Sequence, residues 1–373
     1  MRIAEIIGHL EVLAPPAVQE HYDNAGLLTG HAGWECPGAL VALDATEEVV
    51  MEAAASGCNL VVAHHPIVFG GLKKITGRNY VEKAVIAAIK NDIAIYAIHT
   101  NLDNMVTKGV NGRIADMLGL VARRVLAAKE STLCKLYCFV PIGQLEAVRS
   151  AMFAAGAGHI GNYSECSYSV EGMGTFKAGE GTQPFVGAVG RRHEEKEARL
   201  EVILPVMLQR QVVAAMVAAH PYEEVAYDLV PLINPHGGIG AGLVGELPSP
   251  TEEEAFLDRL TSIFRVPVVR HTRLTGKPVK TVAVCGGAGS SFISNALSSG
   301  ATFYLTSDVK YHEFFDANDR LVIADIGHFE SEQFTIDLLV QVLQEKFSNF
   351  AVLKSGVRTN PVHYHLSPGN RII

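Results

Sequence analysis

Short apolar runs separated by helical patterns set the strongest limit on what this chain can fold into. In the first third, strands predicted over ALVALD, LVVAHHP and AIYAIHT alternate with helices over TEEVVMEAAASG and YVEKAVIAAIKND. The runs are apolar throughout rather than at every second position, the pattern of a parallel sheet covered on both faces. A helix over RIAEIIGHLEVL, a loop HYDNAGLLTG and a short helix over GRIADMLGL complete this third. The last third repeats the plan through TVAVCGG, SFISNALSSG, TFYLTSD, YHEFFDAND, RLVIADIGH and SEQFTIDLLVQVLQEKF. The recurrence predicts an α/β fold built from a duplicated three-layer α/β/α unit.

The middle breaks the pattern. It reads as strand CKLYCFVP, helix LEAVRSAMFAAG, strands within YSECSYSV and GTFKAGEG, and a charged turn GRRHEEKEA. Strand LEVILP, helix RQVVAAMVAAH and strand EVAYDLVPL follow. That order is βαββαβ, a ferredoxin-like α+β unit able to fold alone. The Gly/Pro-rich NPHGGIGAG makes a linker. A chain of 373 residues exceeds one typical core. The expected organisation is a discontinuous domain, 1–128 and 236–373, with an inserted domain at 129–235.

Composition removes several functional classes. The net charge of −8 is spread without a basic block, so nucleic-acid binding by phosphate neutralisation has no footprint. Mean hydropathy is +0.20, yet no uncharged apolar run reaches the ~18 residues needed to span a bilayer. MRIAEIIGHL is amphipathic and lacks the apolar core of a signal peptide. Six cysteines without a C-x-x-C spacing fit reduced core residues and a cytoplasmic protein.

The chemistry gathers where strands end. VVAHHPIVFGG closes an apolar run with His64 and His65, at the carboxyl edge where open α/β sheets bind ligands. Neighbouring strand residues face opposite ways, so one strand is not expected to aim both rings at one ion; as the chain turns at Pro66 the two can instead address two ions a few ångströms apart. HTNLDN supplies Asp103 after another strand. GHFESE places His328 and Glu332 four apart on one helical face. Three imidazoles and two carboxylates suit zinc, iron or manganese.

Weaker signals lie beside this set. CGGAGSS, with Gly287 and Gly289, runs from strand to helix and is either a phosphate cradle or a tight turn. TSDVKYHEF offers Lys310 and His312 as catalytic groups that hold an anion or move protons, with Asp308 as a cap. Asp44 and Asp23 are candidates for supporting ligands. In HPYEEVAY, His220 with Glu223 or Glu224 reads better as a turn with edge-strand charges than as a metal site.

Taken in order, HYDNAGLLTG, LDATEEVV, VVAHHPIVFGG, HTNLDN, TSDVKYHEF and GHFESE resemble the Nif-three-like family, whose members carry the label GTP cyclohydrolase I type 2 homologue. The inserted section looks like a PII/CutA-like domain. The resemblance implies two divalent metal ions per subunit at the centre of a homohexamer. His64 and His328 would serve one ion, His65 and Asp103 the other, and Glu332 would bridge them. His99 and Asn101 would line the cavity. The implied activity is hydrolysis of a small molecule, a nucleotide such as GTP. The rival expectation is a non-enzymatic, small-molecule-sensing oligomer with structural metals.

Overall fold

A computed structural model of the chain describes residues 1–365. It divides into two compact units. One comprises Met1–Ala128 and the chain from Gly238 onward, and the other Lys129–Gly237. Residues 366–373 of the expected segment 236–373 lie outside the described residues.

The first unit opens with α1 (Ile3–Leu13), β1 (Gly26–Thr29), β2 (Gly38–Asp44), α2 (Glu47–Ala55), β3 (Leu60–His65) and α3 (Tyr80–Lys90). It continues with β4 (Ala94–Ala97), α4 (Thr100–Asp103), α5 (Val110–Met117) and β5 (Val121–Ala128). Local chemistry sets the helix starts. The Thr46 hydroxyl accepts the Val49 amide ahead of two first-turn glutamates, and the Asn79 side chain accepts the Glu82 amide.

The second unit contains β6 (Leu133–Pro141), α6 (Leu145–Ala154), β7 (Ser167–Lys177), β8 (Arg192–Pro205), α7 (Gln209–Ala219) and β9 (Tyr227–Leu232). Its four strands lie in the order β7-β8-β6-β9, all antiparallel. Leu136, Cys138, Val140, Leu200 and Val202 meet Val148, Met152, Val212 and Met216 of the two helices in its core. Two details differ from expectation. YSECSYSV and GTFKAGEG contribute to one continuous strand, and most of the charged GRRHEEKEA segment is strand rather than turn. β7 and β8 run on as a ribbon from Ser167↔Val202 to Lys177↔Arg192, with charges on solvated faces hiding the pairing from a hydrophobicity pattern.

The chain then returns to the first unit through β10 (Gly240–Thr251), α8 (Glu253–Phe264), β11 (Arg270–His271), β12 (Val279–Ala288) and α9 (Ile293–Ser298). β13 (Phe303–Ser307), β14 (Val322–Asp325), α10 (His328–Glu332), α11 (Thr335–Lys346) and β15 (Ala351–Lys354) complete it. YHEFFDAND forms a 3-10 helix, Tyr311–Ala317, instead of an α-helix.

This unit holds a five-stranded sheet, β1-β4-β3-β2-β15, and a six-stranded sheet, β11-β14-β13-β12-β10-β5. The predicted strands are parallel at the centre of each; β15 adds one more parallel strand beside β2, and β1, β10, β5 and β11 pair antiparallel. Each sheet takes an edge strand from the other side of the inserted segment, so the two stretches form one unit. β15 joins β2, and β5 joins β10.

Strand alternation then decides what covers what. Leu60 and Val62 face a core shared with Val282, Val284 and Phe303 of the other sheet, packed through α1, α5, α8 and α11. Val61 and Ala63 face α2 and α3 instead. His64 and His65 continue these two faces to the strand's end. No described helix is long and apolar enough to cross a membrane. All six cysteines are free and five are buried.

Candidate metal centre

At the carboxyl ends of β3, β4 and β14 three imidazoles and two carboxylates converge. His64 and His65 leave β3 on opposite faces, yet the turn at Pro66 brings their ring centroids to 4.9 Å. Each of the three histidines is held by its Nδ1. His64 donates to the Ile98 carbonyl at 2.8 Å, His65 to Asp44 Oδ1 at 2.8 Å, and His328 to Asp308 Oδ2 at 2.7 Å. A donating Nδ1 fixes the tautomer and leaves Nε2 free to offer a lone pair. All three Nε2 atoms point at Glu332, which is 3% exposed.

Glu332 Oε2 lies 2.9 Å from His65 Nε2 and 3.1 Å from His328 Nε2, and those two nitrogens face each other at 3.4 Å. Glu332 Oε1 lies 3.8 Å from His64 Nε2, which is 3.5 Å from Asp103 Oδ1. The geometry therefore groups His65 with His328 and His64 with Asp103, on the two oxygens of one carboxylate. The pairing that the resemblance implies is a different one, His64 with His328 and His65 with Asp103. The reason is strand alternation: His64 faces the interior with α4, while His65 faces the opening with α10.

Two observations argue that these residues fit a cation. His64 Nε2 and Asp103 Oδ1 are buried with no hydrogen-bond partner, a state that costs about 1–3 kcal/mol per group unless something binds there. Atoms of His64, His65 and Glu332 also lie close enough to share one ion, against the expectation that strand alternation keeps the two rings apart, because the turn at Pro66 swings His65 back. Without a cation, protons balance the charge. Burial opposes a charge on His65, but hydrogen bonds to Asp44 and Glu332 outweigh it and raise its pKa to about 10. Asp308 and Glu332 likewise overcome burial and raise His328 to about 11. Burial would raise Glu332, yet His328, with His65 and the nearby His64, holds it well below the usual range. Asp103 is raised by burial, with His64 opposing.

Not every expected residue reaches the site. His99 does: it lines the cavity beside His65, its centroid 5.5 Å away, and its Nδ1 donates to Asp23 at 2.9 Å. Asp23 is held down to about 2, against burial, by bonds from His99 and Thr100. Asn101 does not line the cavity. It is buried, accepts the His99 amide and donates to the Ala14 carbonyl.

Gly287 and Gly289 are buried packing positions outside the cavity lining. The Gly286 and Gly287 amides already donate to Asn111 and Ser331. Any Cβ at Gly287 would meet Glu332 Oε1 at 2.3 Å, and one at Gly289 would meet Thr306 Oγ1 at 2.3 Å. Lys310 and His312 lie outside the cavity lining. Lys310 is 84% exposed beside Glu313, and His312 stacks on Phe315. In the second unit both ring nitrogens of His220 are used, by the Phe139 carbonyl and the Tyr222 amide. It is a turn residue, as the sequence favours.

The cavity in front of the cluster measures about 870 Å³. Phe69, Tyr80, Phe329 and Tyr364 supply its apolar walls, and Arg270 is the one Lys or Arg among the described residues lining it. Sequence reasoning missed the segment from Thr359 to Tyr364. Thr359 donates to Asp44, and Asn360 donates to Glu330 at 2.8 Å. The available signal was topological: this segment follows β15, whose parallel pairing with β2 delivers it to the same sheet edge.

Comparison with known proteins agrees over nearly the full length. A Halalkalibacterium halodurans protein named "GTP cyclohydrolase 1 type 2 homolog" is 40% identical over 370 residues, covering 97% of this chain and 99% of its own. A Bacillus subtilis protein of the same name is 36% identical over 362 residues, covering 96% and 97%. The crystal structure of a Bacillus cereus protein related to NIF3 superposes with a TM-score of 0.85 at 39% identity, covering 98% of this chain and 99% of that one. The family profile Duf34/NIF3 (NGG1p interacting factor 3) matches residues 1–361, and the chain belongs to that family.

Proposed function

We propose that the protein is a metal-dependent hydrolase with two divalent cations, zinc, iron or manganese, acting on a small nucleotide-like substrate. The observation that carries this reading is the double grouping on Glu332, with the orphaned His64 Nε2 and Asp103 Oδ1 in one set and His65 with His328 in the other. His64 and Asp103 would hold one ion, His65 and His328 the other, and Glu332 would bridge. Bound cations of this kind activate water near neutral pH and polarise the bond under attack.

The chain's own residues supply the rest. Asp44, Asp308 and the Ile98 carbonyl orient the three imidazoles through Nδ1. The aromatic walls suit a planar base and exclude water from one side of the cavity. Arg270 takes the anion-holding role expected of Lys310 and His312. Its guanidinium is held by Asp325 at 3.2 Å and the Val309 carbonyl at 2.7 Å. The relatives' name supports GTP as the first substrate to try.

The wider reading keeps a PII/CutA-like second unit, supported by its βαββαβ order, and a cytoplasmic homohexamer. A direct test incubates the metal-loaded protein with GTP and follows ring opening and phosphate release. Turnover that falls at least ~100-fold in His65→Ala and Glu332→Ala supports the reading. No turnover, or turnover unchanged in both variants, sinks it.

A further inference from the structure

The second unit holds a cavity that the metal chemistry does not use. It measures about 450 Å³, within the range of small-ligand sites. All of its lining belongs to residues 139–226, so it stands independently of the metal centre.

Its walls are largely aromatic. Phe176 on β7, Phe185 in the β7–β8 connection and Tyr222 after α7 border it together. The Phe176 and Tyr222 centroids are 6.1 Å apart at 57°, and those of Phe185 and Tyr222 are 6.3 Å apart at 51°. Rings so tilted do not stack on one another, and all three border the cavity; His193 packs edge-on with Phe176 at 5.5 Å. Phe185 is 54% exposed, an aromatic with little packing of its own.

The polar groups are mainly acidic. Glu197, Glu223 and Glu224 line the cavity against one cation, Lys177. Glu197 is half-buried, and its Oε1 accepts the Tyr222 hydroxyl at 2.8 Å. Its other oxygen lies over Gly174, where any Cβ would stand 2.0 Å from it. A side chain at Gly174 would displace the carboxylate from this position. The Glu223 carboxylate accepts the Gln183 amide at 3.1 Å and ties the loop that carries Phe185. His220 packs its ring at 5.0 Å on Tyr222, fixing that side chain from behind.

We infer that this pocket binds a small organic cation, an alkylated ammonium group seated between the faces of Phe176, Phe185 and Tyr222 and countered by Glu197. Ring faces carry negative potential and attract such a group, and a phenol donating to a carboxylate is richer in electrons still. A neutral apolar ligand would satisfy the rings but leave Glu197 without a countercharge. Three carboxylates turn away an anion.

The experiment is calorimetric titration of the full-length protein with choline and with its neutral carbon isostere, in which the quaternary nitrogen is replaced by carbon. Choline should bind at least ~10-fold more tightly than the isostere, as expected for a partly desolvated cation between ring faces. Glu197→Gln should reduce that preference severalfold, leaving the part due to the ring faces. Phe185→Ala, at an exposed loop position that the fold does not need, should weaken choline ~10-fold while the melting temperature stays unchanged. Absence of choline binding, equal binding of the two probes, or choline affinity unchanged in both variants would overturn the assignment.

Discussion

At the scale of single residues, the cluster is built so that protons and cations compete for the same lone pairs. His65 and His328, at about 10 and 11, carry protons throughout the neutral range when no cation is bound. Metal needs the neutral imidazoles, so loading at pH 8 should release up to about two protons, and affinity should climb as pH rises. Calorimetry in two buffers of different ionisation enthalpy measures this directly. A heat independent of the buffer would contradict it. Asp44→Asn should lower the basicity of His65, releasing fewer protons and weakening metal ~10–100-fold. Residues at this scale were legible where they broke a pattern: adjacent histidines at the end of an apolar run have no packing reason to exist. Lys310 and His312 show the opposite case. They are reactive types near a strand end, but the 3-10 turn that follows aims them at solvent.

At the scale of elements, strand centrality governed what could be foreseen. β2, β3, β4, β12, β13 and β14 are apolar because neighbours or helices cover them, and their sequences say so. β1, β5, β11 and β15 are sheet edges. β5 and β15 are largely exposed, so no hydrophobic period marks them. β10 begins inside the glycine run that looks like a linker, because Gly240 must pass against the Ala127 carbonyl. The β12 terminus makes a sharper test. Gly287 has φ +65° and supports Glu332, so Gly287→Ala strains the backbone and displaces the carboxylate together. It should cost ~1–3 kcal/mol of stability and ~10–100-fold in metal affinity. Gly8→Ala, with no atom within 4 Å inside α1, should leave metal affinity alone and gain ~0.5–1 kcal/mol. Thermal melts with metal titrations separate the two, and equal metal affinity in both variants would refute the supporting role of Gly287.

At the scale of the whole molecule, the question is whether the first unit needs the second. β5 and β10 are antiparallel neighbours with Ala128 opposite Gly240, so the chain leaves and re-enters the six-stranded sheet at adjacent positions. Loop-closure entropy is then small for a short replacement, because the ends already meet. The first unit also keeps its own clusters around Val62 and Val284, around Val61, and around Tyr304, none of which draws on residues 129–237. Replacing Lys129–Gly237 with a link of roughly four Gly/Ser residues should leave a hairpin that preserves the Met105–Ile239 bridge. The shortened protein is expected to unfold cooperatively and to bind metal with the affinity of the full chain, since every donor atom and every Nδ1 partner lies outside the excised segment. It should also lose any choline binding. An insoluble product would mean that the first unit needs the second in order to fold, and a folded one that no longer takes up metal would mean that the second unit supports the metal centre without supplying a ligand of its own.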